Sequence, residues 1–313
     1  MITTLLAAVF QLLLVLCISP LISGIIKTLK ARLQMRRGPG VLQSYRNLFK
    51  LLRKQMVMPD TASWLFDAAP VMVFATAAVV GLLIPMITAQ APLSLFGGVL
   101  AVVYLLGLGR FFLALGGLDT GSSFGGLGSS REMTISSLAE PAMMLAIFTV
   151  ALSANSTNLS EVARSAIGQS WRFLAPSQML AFAALFIVLI AETGRIPVDN
   201  PATHLELTMI HEAMILEYSG PYLALIEWGA SIKQLILMTL LINTFYPFGL
   251  STNWSGASLA IGCGTYLLKL LILSTLIVLV ETANAKMRLF RVPELLAVAF
   301  VLGALALIST FLF

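Results

Sequence analysis

Apolar residues run through this chain in long blocks rather than in the short alternations of a soluble fold. Eight blocks stand out, at about 2–26, 69–89, 94–117, 134–154, 177–193, 221–246, 257–282 and 293–313. A helix crosses a hydrocarbon layer with roughly 20 consecutive apolar residues. The pattern therefore predicts an all-α polytopic membrane protein with about eight transmembrane helices. The fifth block is the shortest and runs straight into a polar stretch. No hydrophilic segment is long enough for a second fold unit, so residues 1–313 are expected to form a single integral membrane domain. No internal repeat is evident, which weighs against the inverted-repeat plan of many secondary transporters.

The polar interruptions carry a charge bias. Of the 19 Lys and Arg residues, 14 fall in odd-numbered connections, while Arg164 and Arg172 alone fall in even-numbered ones. The positive-inside rule then predicts cytoplasmic odd connections and outside termini, in the cytoplasmic (inner) membrane. The net charge of +5 follows from this orientation. No recognition motif points to nucleic acid. Only 11% of residues are charged, against about a quarter in a soluble domain. No basic residue precedes Lys27, so the first block is expected to be a retained helix rather than a cleaved signal.

Two cytoplasmic connections have patterns of their own. In "KTLKARLQMRRGPGVLQSYRNLFKLLRKQMVMPD", segment 41–54 sets Leu42, Tyr45, Phe49 and Leu52 near helical spacing, with Arg46, Lys50, Arg53 and Lys54 elsewhere. That predicts an amphipathic interfacial helix, against anionic lipid or against a partner. In "GGLDTGSSFGGLGSSREM", six glycines fall in the thirteen residues from Gly116 to Gly128. They permit either tight turns or close approach of another surface. Without GxxxxGK[ST] this is no nucleotide loop. Asp119 and Glu132 border it.

Residues 191–220, "AETGRIPVDNPATHLELTMIHEAMILEYSG", gather five acids and both histidines. Asn200 before Pro201 reads as a helix start, and Gly220-Pro221 as a stop, predicting a cytoplasmic-side helix over 201–218. On it Glu206 and Glu217 would lie within about 20° of each other and about 16 Å apart. Ala202, Ile210 and Ala213 share their face; His204, Thr208 and His211 lie opposite. The expected helix thus carries acids toward the membrane core.

Ionisable groups inside a membrane protein mark proton paths. The candidates are Glu140, Glu192, Asp199, Glu206, Glu217, Glu227 and Glu281, with Arg195, Lys233 and Lys269 as charge partners. Plainer readings exist: Glu192 could pair with Arg195, and Glu140, before Pro141, could stand at a helix start. A metal site is not expected. "HEAMI" fails the HExxH pattern at Ile215, His204 and His211 are two turns apart, and Cys17 and Cys263 form no CxxC. Haem is not expected either, because no apolar block contains histidine.

"AETGRIPVD", with "LEL" and "EYSG" downstream, resembles the complex I H-subunit family, the membrane heel subunit of respiratory complex I. "RRGPGVLQSYRNLFKLL" and "GLDTGSSFGGLGSSRE" resemble its first and third cytoplasmic loops. They are most like those of the membrane anchor subunit of formate hydrogenlyase and hydrogenase-4-type nickel–iron hydrogenases. The motifs keep their order and cover most of the chain. The resemblance implies a subunit that anchors a peripheral redox arm and couples its electron transfer to proton or sodium movement. It also implies no catalytic residue and no cofactor in this chain. The nickel–iron centre and iron–sulfur clusters would lie in partners: hydrogenase large and small subunits, an iron–sulfur protein and antiporter-like membrane subunits. Glu192, Arg195, Asp199, Glu206 and Glu217 occupy motif positions. Arg36, Arg37, Gly38, Pro39 and Asp119 are the arm-docking candidates.

Departures weigh against a quinone site. Gly38-Pro39-Gly40 stands where quinone-reducing members usually have GPN, and Ala202 and His204 stand where carboxylates are common. Glu206 is also three residues further from EYSG, a spacing that departs from formate hydrogenlyase members as well and implies a side branch of the family. The alternatives are the H-subunit of a quinone-reducing enzyme and a stand-alone secondary transporter.

Overall fold

The computed structural model describes residues 2–167, 175–199, 209–251 and 256–312. Eight apolar helices cross the fold: α1 (Ile2–Leu33), α3 (Trp64–Leu83), α4 (Val99–Asp119), α5 (Ser123–Ser153), α7 (Pro176–Glu192), α9 (Gly220–Phe245), α10 (Gly256–Ala283) and α11 (Val292–Leu312). Seven are long and apolar enough to span a membrane; α7, at 17 residues, is the short one that the hydropathy pattern predicts. Shorter helices are α2 (Gln43–Leu52), α6 (Leu159–Ile167) and α8 (His211–Met214). The protein is a multi-pass, all-helical membrane protein.

Helix starts follow local chemistry. Ser63 caps α3, accepting a bond from the Leu65 N–H, and Ser122 caps α5, accepting one from the Gly125 N–H. Pro176 and Pro221 sit in the first turns of α7 and α9, where a missing N–H costs nothing. α9 is the most enclosed span, packed against α1, α2, α3, α7 and α10; α11 is the least enclosed and lies on α5 and α7. Polar side chains close the buried end of α3. The Gln11 amide donates to the carbonyls of Gly81 and Ile84, and the Asn243 amide to those of Pro85 and Met86. Unpaired carbonyls at such depth would cost about 1–3 kcal/mol each.

Two sequence expectations are corrected here. Most of the glycine-rich stretch is helix, not loop: only 120–122 separate α4 from α5. Glycine there serves close packing. A Cβ on Gly125 would collide with the Gly117 carbonyl, and one on Gly128 would reach within 3.0 Å of Met214. The second is the predicted helix over 201–218. Residues 201–208 lie outside the described residues, and the described remainder is helical only over the single turn of α8. Before it, the Ile210 N–H donates to the Asp199 carboxylate at 3.2 Å, in place of a helical carbonyl. Gly220 and Pro221 open α9 and do not terminate a preceding helix: α8 ends at Met214, and Ser219, in extended geometry, is the residue that precedes α9.

Candidate functional site

Arg110 stands mid-way along α4, inside the bundle, with its side chain 4% exposed. A guanidinium presents five donors in a planar fork, and here the fork meets acids from two other helices. NH1 lies 3.0 Å from Glu140 and NH2 2.6 Å from Glu192, while Nε lies 3.6 Å from Glu132. Glu132 and Glu140 come from α5 and Glu192 from the end of α7. Lys233 of α9 approaches the same Glu192 oxygen at 2.7 Å.

The chain of charges continues out of the bundle. Glu132 Oε2 faces His211 Nε2 at 3.3 Å, and His211 Nδ1 faces Asp199 Oδ2 at 3.9 Å. Lys286 holds the other Asp199 oxygen at 3.0 Å. Burial pushes the Asp199 carboxyl up, but the His211 and Lys286 contacts outweigh it and bring it down to about 2. Burial pushes the His211 imidazole down, and the Glu132 and Asp199 carboxylates reverse this and hold it above its ordinary value. The loop beneath the ring is shaped for it. Gly194 has a φ of +58°, and a Cβ there would lie 2.9 Å from Nδ1. Arg131 donates to the Met209 carbonyl at 2.9 Å and ties the following segment to α5.

A second cluster joins α1, α9 and α10. Glu281, buried, takes Arg195 at 2.8 Å and Lys30 at 2.8 Å. Arg195 also donates to Gln234 at 2.9 Å, and that amide oxygen accepts from Ser23 at 3.2 Å. Lys233 and Gln234 are neighbours on α9, so this helix carries one member of each cluster.

These positions sort the residues that the sequence singles out. Glu140, Glu192, Asp199, Glu281, Arg195 and Lys233 lie in the two clusters. Glu192 pairs with Arg110 and Lys233, not with Arg195, whose guanidinium turns to Glu281. Glu140 lies within α5 and not at a helix start. Glu217 is exposed, so it is not carried inward as the helical wheel predicts; the turn after α8 ends that register. Glu206 lies outside the described residues. Glu227 is exposed on α9, within electrostatic reach of Lys27 and Glu212. Lys269 meets no acid in the described residues; its ammonium donates to the Tyr246 carbonyl at 2.7 Å, capping the end of α9.

The docking candidates divide as well. Arg36, Arg37, Gly38 and Pro39 form an exposed turn after α1. The Pro39 carbonyl accepts from Thr28 at 2.9 Å, and a Cβ on Gly38 would collide with Ala31. Asp119 is engaged within the fold: it accepts from the Ser63 N–H at 2.7 Å and the Ser63 hydroxyl at 2.6 Å, and so steadies the start of α3.

The hub residue Arg110, with Glu132, His211, Lys286, Lys30 and Gln234, is absent from the sequence-derived candidates. Arg110 had a signal, since a lone arginine within an apolar span calls for a buried partner. His211 had none: on the predicted helix it faces away from the acids.

Known proteins share this fold and much of this sequence. The family model described as NADH dehydrogenase matches residues 5–312. Formate hydrogenlyase subunit 4 of Escherichia coli (strain K12) is 33% identical over 299 residues, 96% of each chain. Hydrogenase-4 component C of the same strain is 35% identical over 300 residues, 96% of this chain and 93% of the relative. The NADH-quinone oxidoreductase H-subunit of Rubrobacter xylanophilus is 28% identical over 243 residues, 75% of this chain and 72% of the relative. A chain in the structure of the membrane-bound sulfane sulfur reductase, an archaeal respiratory membrane complex, superposes with a TM-score of 0.84. It covers 98% of this chain and 99% of its own length at 18% identity, a likeness of fold.

Proposed function

Since this chain belongs to the NADH dehydrogenase family, we propose that it is the membrane subunit of a hydrogenase-type complex, anchoring a peripheral redox arm and coupling its electron transfer to proton movement. The observation that carries the reading is the buried ion-pair chain centred on Arg110. Burying an ion costs several kcal/mol after relaxation, and the bundle bears that cost for Arg110, Glu132 and Glu192 together. Apolar side chains of equal volume would pack more cheaply. Carboxylates within hydrogen-bond reach of shared cations can exchange protons when a cation shifts between them. Such a chain runs from Glu140 through Arg110 to Glu192 and Lys233, and through Glu132 toward Asp199 and Lys286.

In this reading the odd-numbered connections face the cytoplasm, and the exposed Arg36–Arg37 turn receives the peripheral arm. The nickel–iron centre and iron–sulfur clusters belong to the arm: hydrogenase large and small subunits and an iron–sulfur protein. Antiporter-like membrane subunits lie alongside in the bilayer. Relatives named as subunits of formate hydrogenlyase and hydrogenase-4 support this assignment over the quinone-reducing branch by their greater identity and coverage.

The test is purification of the tagged chain from its native membrane in mild detergent. Partners are identified, metals quantified, and hydrogen evolution and quinone reduction assayed on one sample. Nickel, iron and hydrogen evolution are expected. A flavin-containing, nickel-free assembly with quinone reductase activity would overturn the assignment in favour of the quinone-reducing branch, and recovery of the chain alone would overturn it altogether.

A further inference from the structure

The buried acid chain and the loop carboxylate meet at a single imidazole. His211 has Glu132 of α5 on one edge and Asp199 of the 193–199 loop on the other. Glu192 of α7 and Lys233 of α9 also act on it electrostatically, as does its chain neighbour Glu212. Lys286 reaches the far oxygen of Asp199, and Arg110 the far oxygen of Glu132. Both ring nitrogens are sealed from solvent and neither makes a hydrogen bond among the described residues; Glu132 Oε2 is in the same state. Nε2 lies near hydrogen-bond distance of Glu132 but is not aligned with it, and Nδ1 lies beyond hydrogen-bond distance of Asp199.

Charge balance turns on this ring. Among the described residues, Glu132, Glu140, Glu192 and Asp199 bring four carboxylates, and Arg110, Lys233 and Lys286 three permanent cations. Glu212 adds a fifth carboxylate within electrostatic reach of the ring, so protonation of His211 lowers the negative excess from two to one. Histidine is the side chain whose charge changes near neutral pH, so this position can gain and lose a proton in a working range.

We propose that His211 is the proton-relay residue joining the membrane-embedded carboxylates around Arg110 to Asp199, an inference that rests on the coupling role proposed above. A proton on Glu132 Oε2 passes to Nε2 of a ring already protonated on Nδ1. The imidazolium releases its Nδ1 proton to Asp199 Oδ2 and is left neutral, with its proton on Nε2. One proton leaves Glu132, one reaches Asp199, and no electron moves. While Lys286 sits on Asp199, that carboxylate is a poor acceptor, so the resting proton stays on His211. Withdrawal of Lys286 releases it. The starting tautomer returns when the turned ring gives its Nε2 proton to a water molecule and takes one on Nδ1 from water, an exchange with no net proton change.

The test uses the intact complex in proteoliposomes, with protons moved counted per electron transferred. The wild type is compared with His211→Gln, Glu132→Gln and Glu192→Gln across pH about 5.5 to about 9. Loss of a positioned acid–base group costs a factor of about 10² to 10⁴. His211→Gln is therefore expected to lower the proton yield at least about tenfold, and to remove the alkaline limb of the coupled pH profile. A wild-type yield and profile in His211→Gln, with the glutamate variants uncoupled, overturns the relay and leaves the coupling role standing. Full yield in all three variants overturns both. If His211→Gln does not assemble, the wild-type profile decides: a coupled rate with no titration above the ordinary histidine value of 6.5 overturns the relay.

Discussion

Replacing Arg110 by methionine removes the cation that three carboxylates share while keeping an unbranched, flexible side chain in its place. Of its partners, Glu192 and Glu132 are buried, with side chains 3% and 4% exposed, whereas Glu140 is 33% exposed and can recruit water. Lys233 remains to hold Glu192, but no permanent cation then touches Glu132 among the described residues. Removing one partner of a buried pair costs about 3–5 kcal/mol, because the other charge is left uncompensated. The two buried acids place Arg110→Met within that range, with Glu140 adding little. Arg110→Lys keeps one charge but loses the fork that spans three acceptors, and should cost less than the methionine variant. The assay is thermal and SDS-induced unfolding of the purified complex, followed by release of this subunit. Adding Glu192→Gln to Arg110→Met should recover a substantial part of the loss, the signature of coupled residues in a double-mutant cycle. A melting midpoint in Arg110→Met equal to that of the wild type would refute the argument that Arg110 organises this core. So would strict additivity in the cycle.

Other consequences can be checked separately. Gly125→Leu should abolish subunit incorporation, scored by native gel, since α4 and α5 cannot approach with any Cβ against the Gly117 carbonyl. Asp119→Ala should lower the melting midpoint by an amount corresponding to about 1–2 kcal/mol by freeing Ser63 at the start of α3, while leaving the arm attached in pull-down. Protection factors of segment 209–219, the exchange rates corrected for the intrinsic rate at each pH, should be highest in mildly acidic buffer. The lowered Asp199 carboxyl contributes stability present above its ordinary value of 3.8 and lost as pH falls through about 2. The raised His211 contributes stability present below its ordinary 6.5 and lost as pH rises through its raised value. Lower protection between those bounds than outside them would contradict the assignment.

The spans were legible because a bilayer demands uninterrupted apolar length, a property of the chain read one residue at a time. Even the shortness of α7 showed. The α2 helix was legible as an element, but not its inward face: Leu48 turns inward, while Leu42, Phe49 and Leu52, the expected apolar side, are exposed. What escaped was pairing across distance. Arg110 meets Glu140 and Glu192 from 30 and 82 residues away, and nothing in the local pattern selects one partner over another. Glycines misled for a related reason: their low helix propensity reads as loop, but tight packing of α4 on α5 outweighs it. Over its described residues, 209–218, the acidic helix is reduced to one turn where Asp199 captures the Ile210 N–H, a side-chain competitor for helical bonding that caps and stop signals do not reveal. That local break turns His211 inward and leaves Glu217 outside.

The most direct measurement is internal pH in proteoliposomes during turnover, comparing the wild-type complex with Glu192→Gln, expressed as protons moved per electron transferred. The account predicts loss of proton movement in the variant, because Glu192 is, among the described residues, the carboxylate that both Arg110 and Lys233 contact. A proton yield equal to that of the wild type would contradict it.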